Sequence, residues 1–161
     1  MGSARGPRAG ASAPGRGARH LNRRRGSVTV HFTVQQKILF RHCDPAGIVF
    51  YPRYVEMLND TVEQMFCTVI GWPFEDMHPD HSAPTAALNI EFRAPSHHGD
   101  CLDIALTIIR LGPRSMTVTA RATCAEELRF EAQQTLVCVD ETRRSCDWPQ
   151  FVRDAVGKLP S

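Results

Sequence analysis

The alternation of apolar and polar side chains predicts where the first two regular elements of the chain lie. From Val28 to Phe40, apolar residues occupy every second position except 36, and this period of two is typical of a half-buried strand. Its apolar face comprises Val28, Val30, Phe32, Val34, Ile38 and Phe40. After a turn the apolar spacing changes to steps of three and four, which predicts a helix that begins near Pro52 and ends before Gly71. The apolar face of that helix comprises Tyr54, Leu58, Val62, Met65, Phe66 and Val69.

The rest of the chain reads as strands. The alternating segments are 88–93, 102–108, 116–124 and 130–139, and residues 149–159 suit a short final helix. Most of the connections between these strands are short, which favours antiparallel neighbours. The pattern predicts an α+β domain, a five-stranded antiparallel sheet wrapped around one long central helix. One helix cannot cover the whole inner face and both edges of such a sheet, so we expect edge strands to pair in a homodimer or homotetramer.

Charge divides the 161-residue chain into two parts. Residues 1–27 contain seven arginines, no acidic residue and almost no large apolar side chain, a composition that predicts a disordered basic extension. The remainder, residues 28–161, is predicted to be the folded domain, with twelve basic and seventeen acidic residues and a formal charge of −5. A nucleic-acid-binding arm and a targeting peptide remain alternatives for the extension. We prefer an extension without a role, and we expect no nucleic-acid partner.

Cysteine usage and hydropathy bear on the location of the protein. The six cysteines show neither CxxC pairs nor the spacing of a disulfide framework. No apolar run approaches the length of a membrane span, and no apolar segment typical of a secretion signal follows the arginines. We therefore expect reduced thiols, a cytoplasmic location and no membrane association.

The junction between the first strand and the helix carries the candidate chemistry. Asp44 leaves the strand in the turn Asp44-Pro45-Ala46-Gly47, and the glycine is expected where a side chain would interfere with the bend. The helix begins a few residues later, and its first N–H groups have no intrahelical acceptors. Donors of that kind stabilise an oxyanion. A carboxylate beside an oxyanion-stabilising helix end is the pair that acyl transfer requires.

The stretch 40–54, FRHCDPAGIVFYPRY, resembles the active-site motif of the 4-hydroxybenzoyl-CoA thioesterase family of hotdog-fold enzymes. The resemblance implies the hotdog fold and hydrolysis of an acyl-CoA thioester to the free acid and CoA. It implies that Asp44 is the catalytic carboxylate, acting as nucleophile or as general base, and that the backbone N–H of Tyr51 holds the carbonyl oxygen, with Gly47 shaping the loop. No metal or cofactor is needed, because a thioester is already an activated acyl donor.

The same resemblance implies the residues that contact the substrate. They are Pro45, Ile48 and Val49 in the loop, Asn59 on the helix, and Arg110 and Arg114 for the phosphates of CoA. Glu63, on the same helix, is a further candidate as a base beside the substrate, although a solvated or dimer-contacting charge is the simpler explanation for it. The family commonly has a carboxylate at the position of Asn59. Here Asp60 follows instead, about 100° further round the helix, so 4-hydroxybenzoate is not predicted as the acyl group.

Four alternatives compete with these predictions. Asp44 is also well placed for an Asx-type turn without any catalytic role. The pairs His78/His81 and His97/His98 suggest metal binding, but a third ligand is not obvious and surface histidines are the simpler explanation. A hotdog hydratase or dehydratase is disfavoured because no histidine here has the expected Pro-Gly context. An acyl-CoA-binding or scaffold protein without catalysis remains the main alternative.

Overall fold

The computed structural model describes residues 31–160, which fold as a five-stranded main sheet with a long helix across one of its faces and a small second sheet. The predicted extension 1–27 and the predicted start of the first strand, 28–30, lie outside the described residues. The strands are β1 (Phe32–Lys37), β2 (His81–Ser82), β3 (Thr85–Phe92), β4 (Cys101–Leu111), β5 (Ser115–Cys124), β6 (Glu127–Val137) and β7 (Val139–Asp140). The helices are α1 (Tyr51–Met65), α2 (Phe74–Met77) and α3 (Gln150–Gly157).

The main sheet has five strands in the order β1-β4-β5-β6-β3, and all neighbours are antiparallel. Strands β4, β5 and β6 form its centre and alternate buried with partly or fully exposed side chains along most of their length. Their inward residues pack beneath α1 and include Leu102, Ile104, Leu106, Met116, Val118, Phe130 and Leu136. The predicted α+β hotdog arrangement is confirmed. A second, two-stranded sheet of β2 and β7 was not predicted.

Helix α1 begins and ends where the sequence indicated. Pro52 lies in its first turn, where a missing N–H costs nothing. Its buried face comprises Tyr54, Met57, Leu58, Thr61, Val62 and Met65. A π-helical turn (Phe66–Ile70) extends the helix, and Gly71 ends it with φ +74°, a left-handed conformation that glycine adopts without a Cβ penalty.

The predicted end of the first strand was wrong. Strand β1 stops at Lys37, and a 3₁₀ turn (Phe40–His42) follows, closed by the His42 N–H to Leu39 O hydrogen bond of 3.0 Å. The turn breaks the period of two, so Phe40 does not join the buried face and is 82% exposed. In contrast, Ile38 remains fully buried as predicted.

Strand β3 has one neighbour, β6, and its other edge faces away from the sheet. Leu88 and Phe92 are 37% and 45% exposed, although the Phe92 ring contacts Tyr51 and Tyr54 of α1. The predicted final helix is confirmed as α3, which follows Pro149 and buries Val152. Within residues 31–160, no helix is long and apolar enough to cross a membrane.

Candidate active site

The loop between β1 and α1 reverses the chain within a few residues. Cys43 and Val49 form an antiparallel bridge, and the Asp44 N–H donates to Ile48 O at 2.9 Å. The turn between them closes through the Gly47 N–H to Asp44 O hydrogen bond, also 2.9 Å. Gly47 has φ +80°, yet a Cβ built there would meet no atom within 4 Å. The expectation that a side chain would interfere is therefore wrong, and glycine is required for its backbone conformation alone.

The carboxylate of Asp44 is half-buried and stabilises its own turn. Its Oδ1 accepts the Ala46 N–H at 2.8 Å, which is the Asx-type geometry that the sequence allowed. The residue also lines a cavity of about 340 Å³, here called the Asp44 cavity, together with Pro45, Arg41, His42 and Arg53. An Asx turn fixes one carboxylate oxygen and leaves the second oxygen its full accepting capacity. Turn formation and chemistry are thus compatible at this residue.

Helix α1 starts directly after this loop. Tyr51 is its first residue, so the Tyr51 N–H has no acceptor within the helix, and Pro52 has no N–H to compete with it. The N-terminal end of the 15-residue helix also carries the positive end of the helix dipole. The hairpin and the helix start together place a carboxylate and a polarising N–H at the same end of the sheet.

A second loop, residues 94–97, holds the first one in place. The Val49 N–H donates to Ser96 O at 2.9 Å, and Ile48 forms an antiparallel bridge with His97. The Ser96 N–H in turn donates to the phenol oxygen of Tyr54 at 3.0 Å, inside the protein. Ser96 is fully buried and Tyr54 is 4% exposed, so these hydrogen bonds are shielded from water. No local pattern in the sequence indicates this arrangement, because Ser96 lies 42 residues from Tyr54.

An aromatic cavity of about 300 Å³ opens on the other side of Val49. Ile48, Val49, Tyr51, Tyr54 and Phe92 contribute to its wall. The Tyr54 and Phe92 rings are tilted, with centroids 5.5 Å apart, and the Tyr51 ring meets Phe92 edge-on at 6.4 Å. A wall of tilted and edge-on aromatic rings favours an aromatic or apolar guest. The volume is at the lower end of the range for small-ligand sites.

His42 contributes a neutral imidazole to the Asp44 cavity. Its Nδ1 accepts the Leu39 N–H at 3.0 Å, so the neutral ring carries its proton on Nε2. The contact of 3.3 Å between Arg41 Nε and His42 Nε2 then joins two N–H groups and is not a hydrogen bond. Burial, followed by the charges of Arg41 and Arg53, lowers the pKa of His42 below its ordinary value. The wall of the cavity is therefore rich in donors.

Sequence comparison agrees with this geometry. A family model described as the thioesterase-like superfamily matches residues 38–156, well over half of the chain. The chain belongs to the thioesterase-like superfamily. The match includes the whole β1–α1 loop, helix α1 and strands β3 to β6. The predicted class, a thioester hydrolase, is confirmed at the level of this superfamily.

The individual relatives of this thioesterase-like chain have low sequence identity to it. A 1,4-dihydroxy-2-naphthoyl-CoA hydrolase of Nostoc punctiforme is 25% identical over 115 residues, 71% of this chain and 78% of its own length. The crystal structure of a 1,4-dihydroxy-2-naphthoyl-CoA thioesterase from Synechocystis superposes with a TM-score of 0.73 at 24% identity, covering 79% of this chain and 96% of its own. A gentisyl-coenzyme A thioesterase structure gives 0.72 at 23% identity, covering 78% and 99%.

Four of the predicted substrate contacts lie apart from Asp44 in the thioesterase-like domain. Asn59 and Glu63 are on the exposed side of α1 and line neither cavity. Arg110 is nine residues along β4 from Cys101, the end nearest the Asp44 loop, which corresponds to about 30 Å of strand. Arg114 lies beyond it and forms an ion pair with Asp147 at 3.0 Å. A single chain therefore brings Pro45, Ile48 and Val49 to Asp44, and it does not bring the arginines.

Two of the four histidines that suggested metal binding have ring contacts of another kind. The His81 ring meets Trp72 edge-on and the His98 ring meets Phe40, while the backbone N–H of His97 donates to the Asp100 carboxylate. Across residues 31–160, no group of three or more histidine, cysteine, aspartate or glutamate side chains is arranged to hold a metal ion.

Proposed function

We propose that this protein hydrolyses aromatic acyl-CoA thioesters, with Asp44 as nucleophile or general base and the Tyr51 N–H as the oxyanion donor. The observation that carries the proposal is that the short 44–51 loop joins two cavities, one lined by Asp44 and the other by Tyr51, whose N–H is the first of α1. The free N–H and the helix dipole both stabilise a negative charge that develops on an oxygen at a helix N-terminus. The thiol product is then CoA, and the acid product leaves the aromatic cavity.

The choice of an aromatic acyl group rests on the cavity wall and on the relatives. Tyr51, Tyr54 and Phe92 supply ring faces and edges within one small cavity. The hydrolases from Nostoc and Synechocystis act on a naphthoyl group, and the gentisyl-CoA thioesterase acts on a substituted benzoyl group, by their names. We therefore propose an aryl-CoA as the substrate of this protein. Membership of the 4-hydroxybenzoyl-CoA thioesterase family in particular stays a prediction.

The function is tested by the release of free CoA, followed by chromatography because the protein has six thiols of its own. Wild type is expected to hydrolyse benzoyl- and dihydroxynaphthoyl-CoA faster than acetyl-CoA. Asp44→Asn is expected to lower kcat by at least about a hundredfold, since it removes the carboxylate that either attacks the thioester or activates a water molecule. Asp76→Asn, a change of an exposed carboxylate on α2, is the matched control and leaves kcat unchanged.

Two outcomes would contradict the proposal in different ways. If wild type binds acyl-CoA and releases no CoA, the chain is a binding protein. If Asp44→Asn keeps full turnover with unchanged substrate affinity, hydrolysis stands and the assignment of Asp44 fails.

We further propose that β3 pairs with β3 of a second copy and that the partner completes the site. The exposed edge of β3 and the partly exposed Leu88 and Phe92 support this assembly. Strand β3 runs from the Arg114 end of the sheet to the Asp44 end, as its register with β6 indicates. Two-fold antiparallel pairing therefore brings the partner's copy of the 110–114 turn to the end where Asp44 lies, within reach of the phosphates of CoA.

A mixing experiment tests the shared site. Asp44→Asn and Arg114→Gln are co-expressed and the mixed dimers are purified. A shared site predicts recovery of activity, because one of the two sites in each mixed dimer has both groups intact. If each chain supplies its own Arg114, no recovery occurs, and a monomer in sedimentation analysis would exclude the assembly outright.

The cytoplasmic location stays a prediction based on cysteine usage.

A further inference from the structure

A small hairpin outside the proposed active site brings two cysteines together. It runs from Cys138, directly after β6, to Cys146. Val139 and Ser145 form an antiparallel bridge within it, and the Cys146 N–H donates to Cys138 O at 3.0 Å. This pairing places Cys138 directly opposite Cys146 on the neighbouring arm of the hairpin. Residues directly opposite in an antiparallel ladder have their side chains on the same face of the sheet.

The tip of this hairpin is held tightly by Asp140. Its Oδ1 accepts hydrogen bonds from the Thr142 N–H at 2.9 Å, the Thr142 hydroxyl at 2.6 Å and the Arg144 N–H at 3.1 Å. The Asp140 N–H also donates to Arg144 O at 2.9 Å. The two arms therefore have a defined separation, and the proximity of the cysteines does not depend on a loose turn.

The two thiols are already in contact but differ in accessibility. Cys138 Sγ and Cys146 Sγ are 3.5 Å apart. Cys138 is fully buried, whereas Cys146 is half-buried and can be reached from solvent. Burial, together with the neighbouring Cys146, raises the pKa of Cys138 to about 12. Cys146 is consequently the thiol that meets a reagent first, because only a thiolate attacks and Cys138 holds its proton.

We propose that Cys138 and Cys146 are a site of reversible oxidation, which low-molecular-weight disulfides such as glutathione disulfide convert to an intramolecular disulfide bond. The Cys146 thiolate attacks one sulfur of glutathione disulfide, and the first glutathione leaves as its thiolate. Cys138 Sγ then attacks Cys146 Sγ, its proton passes to the departing glutathione sulfur, and the second glutathione is released as the thiol. Two protein thiols are oxidised and one glutathione disulfide is reduced to two thiols.

Closure requires only a small movement. A disulfide bond is about 2.05 Å long, so the sulfur atoms must approach by about 1.5 Å, and side-chain rotation supplies most of that in a paired hairpin. The hairpin also adjoins a functional candidate. The Cys138 N–H donates to Arg114 O at 2.9 Å, and Asp147, next to Cys146, forms the ion pair with Arg114. Oxidation therefore fixes the segment that holds Arg114.

Peptide mapping gives a direct test, because Arg143 and Arg144 lie between the two cysteines. The full-length protein is treated with glutathione disulfide, alkylated, and digested with trypsin. Cleavage puts Cys138 in peptide 130–143 and Cys146 in peptide 145–153, with one cysteine in each. The expected product is these two peptides joined by a disulfide, and dithiothreitol should separate them. Free thiols in the denatured protein should fall from six to four.

Two serine variants make the result specific. Cys146→Ser is expected to abolish the linked peptide, while Cys67→Ser, which changes an exposed cysteine after α1, should leave its yield unchanged. The proposal is overturned if glutathione stays attached to Cys146 with no linked peptide. It is equally overturned if only the exposed Cys67 and Cys101 react. None of these outcomes depends on thioester hydrolysis, so the proposed function stands or falls separately.

Discussion

Tyr54→Phe tests whether the buried hydrogen bond to Ser96 supports the active-site loop. The substitution removes one oxygen atom, and the phenyl ring continues to fill its place against Phe92 and Phe130. What is lost is the acceptor for the Ser96 N–H, 3.0 Å away. Since Ser96 is fully buried, water cannot replace that acceptor without a rearrangement of the loop.

The expected cost follows from the burial of that donor. A buried N–H left without an acceptor costs about 1–3 kcal/mol, more than the net value of a typical exchanged hydrogen bond. For a domain of this size, a loss of about 2 kcal/mol lowers Tm by roughly 4–8 °C. The Val49 N–H to Ser96 O hydrogen bond leads from the same residue to the Asp44 loop, so we also expect a lower kcat.

The measurement is equilibrium unfolding in urea at fixed protein concentration, followed by the fluorescence of the buried Trp72 and Trp148. Tyr51→Phe is the matched control for stability. Tyr51 lies one turn earlier on α1 and is 61% exposed, so loss of its hydroxyl should change the free energy of unfolding by less than about 0.5 kcal/mol. Equal effects of the two substitutions would refute the buried hydrogen bond as a support of the loop.

Three further predictions concern the same region. Gly47→Ala should lower the free energy of unfolding in urea by about 1–2 kcal/mol, because alanine is strained at φ +80°. Gly47→Asn should lower it by less, because asparagine adopts this conformation more readily. Equal losses for the two variants would point to a steric cause instead. The pKa of His42 is lower in the folded protein than its ordinary value of 6.5, so the unfolded chain binds the proton at a higher pH than the folded protein does. The free energy of unfolding should therefore decrease as the pH falls below 6.5. The loss is at most about 1.4 kcal/mol per pH unit, and His42→Gln should show a correspondingly flatter Tm profile below pH 6.5. Ser96→Ala should be neutral or stabilising, since Ser96 Oγ is buried with no hydrogen-bond partner in the described part of the chain; a large loss of Tm would contradict that.

The sequence by itself determined the elements whose signal is local. The spacing of apolar residues places α1 and strands β4, β5 and β6 within a few residues of where they lie, because side-chain period depends on backbone geometry alone. Pro52 and Gly71 fix the two ends of the long helix for similarly local reasons. The Asp44-to-Gly47 turn is local too, and its residues came together as the motif indicated.

The tertiary structure decided what depends on residues far apart in the chain. One local feature also departed from the apolar period: a 3₁₀ turn (Phe40–His42), held by the Leu39 N–H to His42 Nδ1 hydrogen bond, follows β1, and Phe40 is exposed as a result. The support of the loop by Ser96, and the separation of Arg110 from Asp44 along β4, follow from sheet order and register. No period in the sequence encodes those, because pairing between strands is set by the packing of the whole sheet against α1.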